Sequence, residues 1–157
     1  MISPGRGRAL SNDVTRAISI PPLLEMLEAL VIGIEAIDAD HRGLIDRCNA
    51  LTVMVARRVA GWALHDAARG LAEHCLQHFK REEAILAQSG FPRYEAHIRE
   101  HQRFATKLSD LADRFAKADA LPCEHLTVVE RMRDLLIDLL VLRDLDYKSH
   151  LHHAMGR

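Results

Sequence analysis

Residues 64–92, LHDAARGLAEHCLQHFKREEAILAQSGFP, decide how the chain is read. No proline interrupts the backbone between Pro22 and Pro92. The stretch ends at Ser89-Gly90-Phe91-Pro92, where a glycine accepts a left-handed backbone and a proline cannot continue a helix. This predicts one long helix from about Leu64 to Gln88. Within it His74, His78 and Glu82 follow at four-residue steps, each about 40° around and about 6 Å along from the last, so the three share a face. Glutamate and histidine also populate solvated faces, so this spacing alone leaves both a ligand face and a solvent face open.

Working outward, the same breakpoints define three more helices. After the apolar strip LLEMLEALVIGI (residues 23–34), a segment from about Asp40 to Ala60 carries Leu44, Cys48, Leu51, Val55 and Val59 at three- and four-residue steps. Asp38 or Asp40 is the expected cap of this helix and Gly61 its expected end. A third helix is expected from about Arg93 to Ala118 and a fourth from about Cys123 to His150. Each spans roughly 20 to 28 residues, or about 30 to 42 Å. Four such helices joined by short loops bury their apolar stripes most simply as an all-α, up-down-up-down four-helix bundle over residues 23–153. Residues 1–22 carry Arg6, Arg8 and Arg16 against Asp13 and end in Pro21-Pro22. They are expected to form a mobile N-terminal arm, with a targeting segment as the alternative.

Composition narrows the function. A chain of 157 residues, 48% hydrophobic and 27% charged, is sized for one domain, and 4% aromatic residues with 8 Gly and 5 Pro argue against a sandwich or barrel. A formal net charge of -1 gives no electrostatic grip on nucleic acid or an anionic membrane. No apolar run approaches the roughly 18 residues a membrane span needs. Cys48, Cys75 and Cys123 form no CxxC pair, so neither a disulfide framework nor a thiolate zinc site is indicated, and a cytoplasmic setting is expected.

The unusual count is 10 histidines. His97 and His101 repeat the four-residue step on the third helix, His41 opens the first, and Asp144 lies on the fourth. Each alone has an ordinary reading as a cap or a surface residue. Nitrogen and carboxylate donors on separate helices of one bundle are what build a metal site, and imidazole with carboxylate favours iron, manganese or zinc.

Four stretches in order, Ile34 to Leu44 (IEAIDADHRGL), His78-Phe79-Lys80-Arg81-Glu82-Glu83, His97 to His101 (HIREH) and Asp144 to Tyr147 (DLDY), resemble the bacterial hemerythrin pattern. The resemblance covers about residues 23–150. It includes the 19-residue separation of His78 from His97, the Gly33-Ile34 start and the Gly90-Phe91-Pro92 turn. It implies a four-helix bundle holding two non-haem iron ions that bind O2, for oxygen storage, delivery or sensing. His41 and His78 would then ligate the iron with the open position, His97 and His101 the other, and Glu82 and Asp144 would bridge them. Asp38 would orient His41, or simply cap its helix.

One position departs from the pattern. The family has a further histidine five residues before the bridging aspartate, where this chain has Leu139, and no histidine lies between His125 and His150. His125 is about 21 Å along a helix from that position and is no substitute. His74 is the candidate replacement, or else a buried histidine behind His78. His65, His125 and a frayed tail with His150, His152 and His153 are expected to face solvent. Met26 and Leu135 stand where the family usually has tryptophan. A missing donor weakens one ion's site and leaves a place for water, peroxide or substrate. Two alternatives therefore stand beside oxygen binding: a peroxidase- or oxidase-type enzyme on the same fold, and a metal-poor interaction module.

Overall fold

The computed structural model describes residues 20–117, 121–154 and 156. Most of the expected arm, residues 1–19, and the expected end of the third helix at residue 118 lie outside them. A short 3-10 turn, Glu28–Leu30, precedes α1 (Glu35–Ala56), α2 (Gly61–Ser89), α3 (Tyr94–Arg114) and α4 (Pro122–Asp138). A π-helical segment, Leu139–Arg143, then joins α4 to α5 (Asp144–Ala154), and the three make one rod. α1 packs on α2 and α4, and α3 packs on the same two, which is an all-α up-down-up-down bundle. Among the described residues no helix is long and apolar enough to cross a membrane.

α1 starts at Glu35, one turn before the expected Asp40, and Ile34 precedes it without a side-chain cap. Asp38 lies inside the helix and its carboxylate reaches back to accept the backbone N–H groups of Ile32 at 2.7 Å and Gly33 at 3.0 Å. It holds the turn in which Gly33 takes φ +90°, a left-handed value that favours glycine. Asp38 does not orient His41, whose ring nitrogens have no hydrogen-bond partner. Further in, the Leu24 N–H donates to the Asn49 side chain at 2.7 Å while the Asn49 amide donates back to the Leu24 carbonyl at 2.8 Å, fastening the leading strip to α1.

Gly61 does not close the first helix: α1 ends at Ala56 and Gly61 opens α2. The glycine is needed for packing, because a Cβ there would lie 2.9 Å from the Phe115 carbonyl oxygen. Gly90 does end α2, in the left-handed conformation at φ 67°. The fourth rod starts with Pro122 at its first position, and the Leu121 N–H donates to the Glu124 carboxylate at 2.8 Å.

The tail is not frayed. α5 runs to Ala154, Leu151 is fully buried, the His150 ring donates to the Ser89 carbonyl at 3.1 Å, and the His152 Nε2–H donates to the Ile32 carbonyl at 2.6 Å. His153 faces solvent as expected, whereas His125 is half-buried against Phe115 and His65 lies 3.3 Å from Asp113.

Two apolar clusters form. The larger includes Leu44, Cys48, Leu51, Phe79, Phe104, Met132, Leu139 and Leu140, and the smaller Ile32, Ile37, Leu86, Phe91, Tyr147 and Leu151. Gly90→Ala tests the turn that sets α3 against α2. A Cβ there meets nothing within 4 Å, so only backbone strain is added, and a loss of about 1 kcal/mol is expected from the urea midpoint at unchanged slope.

Candidate metal centre

Each rod passes from one apolar cluster to the other through ionisable residues. α1 runs Ile37, His41, Leu44; α2 runs Phe79, Glu82, Leu86 with His78 alongside; the fourth rod runs Leu140, Asp144, Tyr147. α3 brings His97 and His101 to the same level, one turn before Phe104. The result is a polar layer between two apolar ones. His41, His78, Glu82 and Asp144 are 0% exposed, His101 2% and His97 6%.

All six sequence candidates meet here, in two groups whose donor atoms lie within 4.8 Å of one another: His41, His78, Glu82 and Asp144, and then Glu82, His97 and His101. Glu82 belongs to both. One of its oxygens lies 3.3 Å from His78 Nε2, and the other contacts His97 Nε2 and lies 3.3 Å from His101 Nε2. Asp144 Oδ2 is 3.0 Å from His41 Nε2 and 3.6 Å from His78 Nε2. Asp144 is grouped with His41 and His78 and not with the α3 pair.

These approaches are close without being hydrogen bonds throughout. Both ring nitrogens of His41 and His78, His101 Nε2 and both Asp144 oxygens are buried with no hydrogen-bond partner. Burying such groups unpaired costs about 1 to 3 kcal/mol each. A cation accepting their lone pairs removes that cost, so the donor set fits a metal ion.

Three surrounding residues escaped the sequence reading. Tyr147, fully buried, donates its hydroxyl to the Glu82 oxygen nearest His78. Burial and the charges of Asp144 and Glu82 push its hydroxyl well above the ordinary tyrosine range, so it stays a neutral donor. Glu83 accepts from His101 Nδ1 at 2.8 Å. Asp40 is gripped by Arg81 at 2.7 and 3.1 Å and stands 3.7 Å from His78 Nδ1. Burial alone would raise the Asp40 carboxyl; the His78 and Arg81 partners outweigh it and hold it well below its usual range. Tyr147 was within the motif that carries the resemblance, three residues after Asp144, and that spacing on a helix was the available signal.

The same balance governs the layer itself. Burial disfavours a charged His78, yet the nearby carboxylates of Asp144 and Asp40, with the charge of Glu82, lift it from 6.5 to about 10. Burial likewise works against an ionised Glu82, and the imidazoles of His101, His97 and His78 overcome it and lower that carboxyl. His101 is raised by Glu82 and Glu83 against its burial.

Leu139 occupies the position where the resemblance implies a histidine. It is 1% exposed and begins the π-helical segment, in which the Asp144 N–H donates to the Leu139 carbonyl five residues back. The second donor group thus has three members against four in the first. A cavity of about 290 Å³ reaches this side, lined by His101, Phe104, Leu135 and Leu139 and by the charged Arg103 and Arg143. His74 belongs to neither group; its Nε2–H lies 3.3 Å from the Asp40 carbonyl and its ring packs over Gly43. Cys48 and Cys75 are buried free thiols outside both groups.

A bundle with two carboxylate-and-imidazole donor groups between two apolar clusters defines a class of cation-binding helical domain. Residues 32–152 match the family described as hemerythrin HHE cation binding domain, and the chain belongs to that hemerythrin family. It is 30% identical over 112 residues to a bacteriohemerythrin from Stenotrophomonas maltophilia (strain R551-3), covering 69% of this chain and 71% of that protein.

Two measurements test this layer. With no ion bound, the raised His78 contributes stability that is fully present below pH 6.5 and is lost as pH rises through about 10. A cation must displace that proton. Zinc uptake against a chromophoric chelator is therefore expected to strengthen with pH across this window, and a flat profile would count against His78 as a donor. Tyr147→Phe is expected to lower unfolding free energy by about 2 kcal/mol in urea, since it strips a charged, buried carboxylate of its donor.

Proposed function

We propose that the polar layer holds two iron ions and that the protein binds O2, serving oxygen storage, delivery or sensing. The observation that carries this reading is the set of buried, partnerless nitrogen and oxygen atoms on His41, His78, His101 and Asp144, which converge with Glu82 and His97 inside the bundle of a hemerythrin-family chain. His41 and His78 would hold one ion and His97 and His101 the other. Glu82, which faces both groups, would span them, and Asp144 would join it from the His41 side. When bound, the iron pair would supply the electron exchange and the coordination site that O2 requires.

The chain's own residues prepare that layer. Tyr147 fixes the orientation of Glu82, Glu83 fixes the ring of His101, and Arg81 holds Asp40 beside His78. The apolar clusters on either side exclude water from the donors and keep the four rods at a constant separation. The cytoplasm is the proposed setting, consistent with two buried free thiols and one exposed.

A second reading is favoured by the cavity at His101 and Leu139. With one donor fewer there, the ion held by His97 and His101 would be open to a small molecule, and the protein would act as a peroxidase or oxidase. A metal-poor module is the remaining alternative. It predicts that His78→Ala changes neither metal content nor thermal midpoint.

Anaerobic titration with ferrous ion separates these readings. Oxygen binding predicts tight uptake of two ions per chain, a rise in thermal midpoint on loading, and an optical change on admitting O2 that reverses under argon. Sustained consumption of hydrogen peroxide by loaded protein would instead favour the enzyme. Leu139→His is expected to tighten the weaker of the two ions. No uptake of iron by the wild-type chain overturns the proposal.

A further inference from the structure

Away from the polar layer, one buried arginine among the described residues has a guanidinium nitrogen with no partner. Arg133 on α4 is 7% exposed, its Nη1 is buried without a hydrogen-bond partner, and among the described residues it makes no ion pair. Its neighbour Cys48 provides no counter-charge: burial pushes that thiol up to about 11 even with Arg133 pulling the other way. Leaving a guanidinium buried and unpaired costs several kcal/mol unless an anion or water reaches it.

Arg133 lines a cavity of about 400 Å³ between the leading strip and the fourth rod, within the size range of small-molecule sites. Its walls are apolar: Leu24 and Leu30 from the strip, Ile45 from α1, and Leu140 from the π-helical segment. The rim is apolar as well, with Leu23 54%, Leu27 57%, Ile137 40% and Val141 40% exposed. The lining carries a single carboxylate, Glu25, which is exposed and not paired with Arg133. The Leu24–Asn49 pair of hydrogen bonds holds the strip in place as one wall.

An apolar slot with one buried cation at its wall selects a molecule with one negative end and a hydrocarbon body. We propose that this cavity binds an apolar monocarboxylate of medium chain length, with its carboxylate on Arg133 and its chain along the slot. A planar carboxylate matches the guanidinium fork. A phosphate dianion would need more donors than the one guanidinium of Arg133 offers. None of the six polar-layer residues lines this cavity, so the site stands or falls apart from iron.

Isothermal titration calorimetry of the full chain with decanoate, decanol and decyltrimethylammonium tests it. Saturable one-to-one binding of decanoate is expected, with decanol weaker and the cation silent. Arg133→Met should weaken decanoate roughly tenfold or more and leave decanol unchanged. The variant is expected to fold, because replacing a buried unpaired charge with an apolar side chain is commonly neutral or stabilising. Val141→Glu, at a half-exposed rim position, should weaken decanoate more than decanol by adding a second carboxylate beside Glu25 at the slot. Equal affinity for decanoate and decanol, an unchanged Arg133→Met, or no saturable heat would each overturn the proposal. So would a dimer, seen by sedimentation equilibrium, that Val141→Glu dissociates, since a second copy would then occupy this face.

Discussion

Six ionisable side chains share one layer of this bundle, and Glu82 is the group through which that layer is held together. Its two oxygens meet His78 from its own helix, His97 and His101 from α3 and the Tyr147 hydroxyl from α5. Each of these groups would be costly to bury alone, and each is tolerable because opposite charge or a donor lies within about 3.5 Å. The arrangement is balanced by protons when no cation is present, which is why the imidazoles rise and the carboxyl falls. The apolar clusters above and below hold the rods so that these partners stay opposed. Stability and metal chemistry therefore draw on the same few contacts.

The number and order of the rods were legible because they rest on local signals: proline and glycine stops, and donors at four-residue steps. The six candidates come together because each sits at the level where its rod leaves one apolar cluster for the other. What escaped the sequence was pairing at long range. Asp40 was read as a cap, yet its partner Arg81 is 41 residues away, and the Tyr147 target Glu82 is 65 residues away. The histidines of the tail looked solvated because two of them bond backbone carbonyls, of Ser89 and Ile32, and a carbonyl is a partner that every residue carries and none advertises. Arg133 is harder still, since what marks it is a partner that is missing.

The π-helical segment belongs with these unsignalled features. An ordinary helix would have set residues 139 and 144 about 140° apart, whereas the wider turn, closed by the Asp144 N–H to the Leu139 carbonyl, brings five-residue neighbours toward one side. In this chain the widened backbone starts at a leucine. Leu139 and Leu140 pack into the larger apolar cluster, and this packing accounts for the segment without any donor at position 139. The wide turn here is thus a packing feature of the rod that also brings Asp144 to the polar layer.

The bond from His152 to the Ile32 carbonyl joins the last turn of α5 to the residue just before α1. The start of α1 and the end of α5 are thereby held at the same end of the bundle, with Asp38 bracing the same turn from inside. A pull on the leading strip would meet the Leu24–Asn49 pair before it reached Ile32 and this clasp. A tether on that strip would therefore load these bonds ahead of the buried donors, which lie further along the chain.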